Sequence, residues 1–232
     1  MSLSTDITLL TIDLDDTLWP CMPTIMYAEQ ASYDWLKQNL PKITHRYTLD
    51  QLRDKRQQLM LEHPRLKHDL SEARCAHFRE LADELGYSHD WIDEGFRVFH
   101  DARQKVDFYD DVLPALTLLK AHFSLVALTN GNADIIKTGL SDYFVCQISA
   151  ADVSAAKPDP AMFHAAMKQL DRLPHQTLHI GDHAIHDIYG ARAAGIASVW
   201  MNRSGQAWEQ ADFSADFEVS DFNQLLNLLE IG

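Results

Sequence analysis

Short apolar runs alternating with helix-forming stretches constrain this chain more than any other feature. One run opens it, Ile7 to Leu14, and four more follow late: "SLVALT" from Ser124, "VCQISA" from Val145, "TLHI" from Thr177 and "ASVWM" from Ala197. Helical segments separate the late runs: one over Val112–His122, one opening near Asn132, one from Asp159 and Pro160 to about Leu170, and one ending before Gly195. Asp159 and Pro160 read as an N-cap and first-turn pair. Strands alternating with helices predict an α/β fold, a Rossmann-like parallel sheet with helices on both faces. In such sheets ligands bind beyond the carboxyl ends of the strands, where the strand order reverses.

The stretch between the first and second runs has another texture. Ile25, Ala28, Ser32, Trp35, Leu36 and Leu40 fall on one helical face, and Thr48 with Gln51 has capping-box spacing. Ala73, Phe78, Leu81, Ala82 and Leu85 form a further stripe, stopped by Gly86, and Trp91, Ile92, Phe96 and Phe99 begin another helix. The expected organisation is a core of residues 1–19 and 107–232 with a helical insert over residues 20–106.

With 20 basic and 34 acidic side chains the formal charge is −14, which disfavours non-specific attraction to nucleic acid or an anionic membrane. Cys21, Cys75 and Cys146 are isolated, so free thiols are expected rather than a disulfide framework or a zinc site. There is no apolar run of membrane-spanning length and no signal-like start, so a cytoplasmic protein is expected. The pattern leaves the oligomeric state open.

Within this acidic chain, "LLTIDLDDTLW" crowds Asp13, Asp15 and Asp16 at the end of the first apolar run. Two such charges about 4 Å apart repel by roughly 4 kcal/mol at an effective dielectric near 20, so solvent, a cation or a required chemistry must offset them. Further polar groups stand at later strand ends: Thr129 and Asn130, Lys157 in "AAKPDP", and Asp182 and Asp187 in "HIGDHAIHDIYGA". Parallel strands would bring these ends to one crevice. Oxygen-only ligation by aspartates suits a hard cation, Mg²⁺ above all. Thr129 and Lys157 suit phosphoryl oxygens, and a carboxylate is a competent nucleophile at phosphorus.

The series resembles the haloacid dehalogenase (HAD) superfamily, whose D-x-D-x-T-L motif is matched by Asp13, Asp15, Thr17 and Leu18. Its strand-ending Ser or Thr is matched by Thr129, its Lys by Lys157 in "KPDP", and its G-D-x-x-x-x-D by Gly181, Asp182 and Asp187. The resemblance spans nearly the whole chain. It implies that Asp13 is the nucleophile and that Asp15 is the general acid and then the base. It implies Mg²⁺ on the Asp13 and Asp182 carboxylates and the Asp15 carbonyl, with Asp187 and Thr17 standing behind them. Thr129, Asn130 and Lys157 would bind the phosphoryl group. The insert falls where the family places its C1-type cap, which closes over the core and contributes to substrate choice. The substrate implied is a small phosphate ester, with FMN, ribityl or sugar phosphates and nucleotide monophosphates as candidates. Within the superfamily, "TIDLDDTLW" and "LTNGNAD" look most like bacterial FMN and ribityl-phosphate phosphatases. Dehalogenation of a 2-haloacid, a phosphomutase reaction and a non-catalytic phospholigand-binding role are the alternatives on this fold.

Other residues carry weaker expectations. Asp16 is expected to support the turn, and Trp19, Met22 and Tyr27 to be candidates for substrate contact. His183 stands where relatives more often carry Asp, Ser or Asn. His179 is expected to be buried in its strand and to point away from Asp182.

Overall fold

The computed structural model describes residues 6–231. The chain forms two compact units, one joining residues 1–20 to 107–232 and the other spanning 21–106. In chain order, β1 (Leu9–Ile12) leads to helices α1 (Cys21–Asn39), α2 (Pro41–Arg46), α3 (Leu49–Glu62), α4 (Leu70–Leu85) and α5 (Ile92–Arg103). Then come α6 (Val112–His122), β2 (Ser124–Thr129), β3 (Cys146–Ser149), α7 (Ala150–Val153) and α8 (Ala161–Gln169). They are followed by β4 (Thr177–Gly181), α9 (Gly190–Ala193), β5 (Ala197–Met201), β6 (Phe217–Val219) and α10 (Phe222–Leu228).

The first unit is the expected α/β fold. Its six strands are all parallel, in the order β3-β2-β1-β4-β5-β6. β1 lies between β2 and β4, with Ile12 opposite Ala127 on one side and Ile180 on the other. Every residue of β1 is buried, which is why "LLTI" reads as a continuous apolar run rather than an alternating one. Leu9, Val126, Leu128, Ile148, Met162 and Phe163 build one side of the core. Chain order reverses at β1, so the crevice beyond its carboxyl end is the place for a ligand.

Four local expectations change. The sheet has a sixth strand, β6, which the sequence pattern did not mark. No helix forms near Asn132; residues 133–144 run as turns instead. There the Gln147 side chain accepts from Ile135 N–H at 2.9 Å and donates to Ala133 O at 2.7 Å, occupying groups a helical ladder would use. β1 is also shorter than its apolar run. Pro160, not Asp159, takes the N-cap position of α8, and the Asp159 carboxylate just before it accepts from Ala161 N–H at 2.9 Å.

The second unit is wholly helical. Thr48 and Gln51 form the reciprocal capping box, and Gly86 ends α4 in the left-handed conformation at φ 68°. Leu36, Leu40, Ile43, Leu52, Phe78, Leu81 and Ile92 make its core. Beside them Glu29, 3% exposed, accepts from Arg56 and Arg74 at 2.6 Å each. His77 is buried nearby with neither ring nitrogen hydrogen-bonded. None of the three cysteines is in a disulfide. Among the described residues no helix is long and apolar enough to cross a membrane.

Candidate active site

Asp13 follows β1 directly and is still held in register, its N–H donating to Ile180 O at 2.9 Å. Beyond it the chain folds back on itself. Asp16 takes a left-handed φ of 58°, Leu18 N–H reaches Leu14 O at 2.8 Å, and Asp16 N–H reaches Trp19 O at 2.8 Å. This turn brings Asp13 and Asp15 to the same cavity. About 150 Å³ in volume, the cavity is lined by five aspartates (13, 15, 16, 182 and 187), by Thr129, Asn130, Gly131 and Lys157, and by His183 and His186.

Lys157 is the electrostatic centre. Its Nζ donates to Asp13 Oδ1 at 2.5 Å, Asp187 Oδ1 at 2.6 Å and Leu128 O at 3.0 Å, which uses all three ammonium protons. Asn130 fixes the Lys157 backbone: its Nδ2 donates to Lys157 O at 2.9 Å and its Oδ1 accepts Lys157 N–H at 2.7 Å. The Thr129 hydroxyl accepts from Gly131 N–H at 2.9 Å. Thr17 Oγ1 donates to Asp182 Oδ1 at 3.4 Å.

Burial opposes the charge on Lys157, but Asp13 and Asp187 outweigh it and hold the ammonium above the ordinary lysine value. Burial likewise opposes the Asp187 carboxylate, yet Lys157 and His179 keep it below the usual range. Asp13 goes the other way. Burial lifts it well above a normal carboxyl against the pull of Lys157, and the charges of Asp187 and Asp182 add to the rise. Burial, then Asp187 and Asp16, push Asp182 up to about 7. Lys157 and Asp187 thus form the settled ion pair, and Asp13 and Asp182 are the carboxyls whose negative charge the surroundings disfavour.

Carboxylate oxygens of Asp13, Asp182 and Asp187 lie within 4.8 Å of one another. The sequence pattern grouped Asp15, not Asp187, with Asp13 and Asp182. Both Asp187 oxygens already have donors, since Oδ2 accepts His183 N–H at 2.9 Å while Oδ1 takes Lys157 and His179. The Asp15 carboxylate turns to Trp19, whose Nε1–H donates to Oδ1 at 2.9 Å. Gly181 is required behind this group: a Cβ there would lie 2.3 Å from Asp187 Cγ.

His179 is buried in its strand as expected, and its Nε2 meets Asp187 Oδ1 at 3.1 Å while its Nδ1 meets the Thr11 hydroxyl at 2.9 Å. One expectation is corrected here. Trp19 is fully buried, so it is not a substrate-contact surface. Several supporting residues carried no sequence signal. Trp200 Nε1–H donates to Asp182 O at 2.7 Å. Arg203 donates to Thr17 O at 3.0 Å and to both Asp111 oxygens at 3.1 Å, with its guanidinium 3.9 Å from the Tyr109 ring centre. His183 and His186 stack at 3.9 Å, and His183 Nδ1 accepts the Ile185 and His186 N–H groups that start the π-helical turn Ala184–Tyr189.

The arrangement agrees with what is similar to it. A protein-family model described as haloacid dehalogenase-like hydrolase matches residues 7–195. The 5-amino-6-(5-phospho-D-ribitylamino)uracil phosphatase YigB of Escherichia coli K12 is 27% identical over 231 residues, 96% of each chain. The crystal structure of 2-haloacid dehalogenase from Pseudomonas syringae pv. Tomato DC3000 superposes with a TM-score of 0.90 at 38% identity, covering 97% of this chain and 98% of that one. A HAD phosphatase from Thermococcus onnurineus gives 0.67 at 25% identity, covering 96% and 98%. With its family match running through both halves of the site, the chain belongs to the haloacid dehalogenase-like hydrolases.

Proposed function

We propose that the chain is a Mg²⁺-dependent phosphomonoesterase for a small phosphorylated metabolite, working through a phosphorylated Asp13. The observation that carries this reading is the buried Asp13–Lys157–Asp187 ion-pair network with Asp182 beside it and Asp15 on the same cavity. Three carboxylates against one ammonium, with Asp13 and Asp182 both raised, are the donor set of a hard divalent cation. Asp13 and Asp182 would hold it, with the Asp15 carbonyl. When bound, the ion neutralises the surplus charge and draws phosphoryl oxygens toward Asp13.

Lys157 donates to Asp13 Oδ1, which supports attack through Oδ2. In the first half-reaction Asp13 Oδ2 bonds to phosphorus, the bond from phosphorus to the ester oxygen breaks, and Asp15 delivers its proton to that oxygen. In the second, Asp15 takes a proton from water, the hydroxide attacks phosphorus, and phosphate leaves Asp13. Thr129 and the backbone of the Asn130 segment would receive the phosphoryl oxygens, while Lys157, its three protons committed, would hold Asp13 in place. The helical unit, residues 21–106, is read as the family's cap and the source of substrate selectivity. YigB's activity supports a ribityl-type phosphate among the first substrates to test.

A second reading, 2-haloacid dehalogenation, draws on the 38% identity to the Pseudomonas syringae enzyme. Its substrate is a carboxylate, and among the described residues lining the cavity Lys157 is the one lysine or arginine and is already paired. A lone organic acid would meet five aspartates there, so this reading has the weaker electrostatics. The test is phosphate release from an aryl phosphate, in Mg²⁺ and in EDTA, by wild type and Asp13→Asn. Turnover that needs both Mg²⁺ and Asp13 supports the phosphatase. Halide release from 2-chloropropionate in EDTA, without phosphate release, overturns it.

A further inference from the structure

A second cavity, about 340 Å³ in volume, adjoins the active site within the same unit, and Asp16 and Asp182 line both. Its remaining walls are Tyr109, Trp200, Met201 and the chain that leaves β5, residues 202–204 and 206. Asn202, 6% exposed, holds that chain in shape. Its Oδ1 accepts Gln206 N–H and its Nδ2 donates to Gln206 O, each at 2.9 Å, while Gly205 makes the turn at a φ of 65°. Asn202 N–H donates to Val219 O at 2.8 Å, which ties the loop to β6. Ser204 and Gln206 are thus carried on a fixed backbone. Among the described residues, their side chains and the Tyr109 phenol make no hydrogen bond to the protein.

Charge and hydrogen-bonding capacity define what fits. Arg203 is the one lysine or arginine on these walls, and it is committed. Its Nε donates to Thr17 O at 3.0 Å and its two Nη atoms to the Asp111 carboxylate at 3.1 Å each. Asp16 and Asp182 make the opposing wall acidic, so a second anionic group on a ligand is disfavoured. A phenol, a hydroxyl and a primary amide each donate and accept. Trp200 and Met201 add apolar surface beside them. That lining matches a short chain bearing several neutral hydroxyls, which donate to the acidic side and accept from Tyr109, Ser204 and Gln206.

We infer that this cavity receives the leaving-group end of the substrate and selects a neutral, polyhydroxylated phosphate ester. The inference rests on the phosphatase reading above, and it places part of the substrate choice in the α/β unit itself. An ester held at Asp13 by its phosphoryl group extends past Asp16 and Asp182 into the second cavity. An ester with a carboxylate at its far end meets the acidic wall there and is rejected. Tyr109, Ser204 and Gln206 are specificity residues on this account, binding hydroxyls remote from the reacting atoms.

The experiment measures kcat and KM, with Mg²⁺ present, for ribitol 5-phosphate, for n-pentyl phosphate, which lacks the hydroxyls, and for ribonate 5-phosphate, which ends in a carboxylate. 4-Nitrophenyl phosphate reports on the chemistry alone. Wild type is expected to prefer ribitol 5-phosphate to each of the other two chains by about tenfold or more in kcat/KM. Tyr109→Phe, which keeps the ring beside the Arg203 guanidinium, and Gln206→Ala are each expected to lower the ribitol-to-pentyl ratio about three- to tenfold, chiefly through KM. A ratio unchanged in both variants, or a wild type that takes the ribonate ester as well as the ribitol one, overturns the cavity assignment. Turnover of 4-nitrophenyl phosphate by that same wild type leaves the phosphatase reading standing. A wild type that releases phosphate from none of the four removes both. If Tyr109→Phe does not fold, Ser204→Ala, at an exposed residue like Gln206, makes the same comparison.

Discussion

Replacing Lys157 by methionine tests the electrostatic description of the site most directly, because it removes the one ammonium and keeps an apolar stem of similar length. Asp13, Asp182 and Asp187 would then face one another within 4.8 Å. At that separation each charged pair repels by roughly 3.5 kcal/mol at an effective dielectric of 20. Protonation relieves part of this, and removing one member of a buried ion pair costs about 3–5 kcal/mol. For a chain of this size that is a fall in Tm of roughly 6–20 °C. The loss has a defined pH sign. A carboxyl whose folded pKa is raised contributes stability below its unfolded value and loses it as pH rises through the folded one, which for Asp182 is about 7. Asp13 is shifted in the same direction. Calorimetry without metal is therefore expected to show the full difference between wild type and Lys157→Met at pH 8, and a smaller one at pH 5.5, where Asp182 holds its proton. Millimolar Mg²⁺ at pH 8 is expected to return part of the loss. An equal difference at both pH values, or one below about 1 kcal/mol, would refute the reasoning.

Other perturbations test separate parts of the molecule. Gly181→Ala puts a methyl group 2.3 Å from Asp187 Cγ; a loss of about 1–3 kcal/mol in denaturant unfolding is expected, with reduced phosphatase turnover as Lys157 loses its partner. His77 is buried and held neutral, its pKa lowered to about 3 by burial and then by Arg56 and Arg74. Its folded pKa lies below the unfolded one, so wild type is expected to lose about 2 kcal/mol between pH 7 and pH 5, and His77→Phe to lose correspondingly less in urea titrations at both pH values. Thr48→Ala removes one half of the capping box on α3, and a cost of about 1 kcal/mol is expected from the same measurement.

The parts of the fold legible in the sequence are those where burial on both faces writes a continuous apolar run. β1, β2, β4 and β5 are of this kind, with nearly every residue buried. β6 is an edge strand with Phe217 and Glu218 partly or largely exposed, and "FEV" has too little pattern to separate it from a loop. The turns after Asn132 escaped notice because one side chain fourteen or fewer residues downstream, Gln147, displaces the helical ladder. At the site, Asp13, Thr129 and Asp182 were readable because each stands at a strand end, and parallel strands gather their ends; Lys157 stands on the loop between α7 and α8. Arg203 and Thr17 lie 186 residues apart in sequence, and only the sheet order β1-β4-β5 brings them together. His179 was legible as a buried strand residue, but its meeting with Asp187, which folds back from the turn beyond, was not.

The central place of β1 also sets an order of assembly. The strand is made first, yet its partners in the sheet are Ser124–Ala127 on one side and Thr177–Ile180 on the other. Residues 21–106, whose core is built from sequence-local helices, leave the ribosome before either partner exists. Local contacts form fast and long-range parallel pairing forms slowly. The helical unit therefore matures while "LLTI" is still an unpaired apolar segment waiting for β2. Asp13 meets Lys157, 144 residues further along the chain, only once that residue has emerged, and Arg203 comes later still. A ribosome pausing before Ser124 would expose an apolar strand with no sheet to enter, and that interval is when this chain is most open to chaperones and to aggregation.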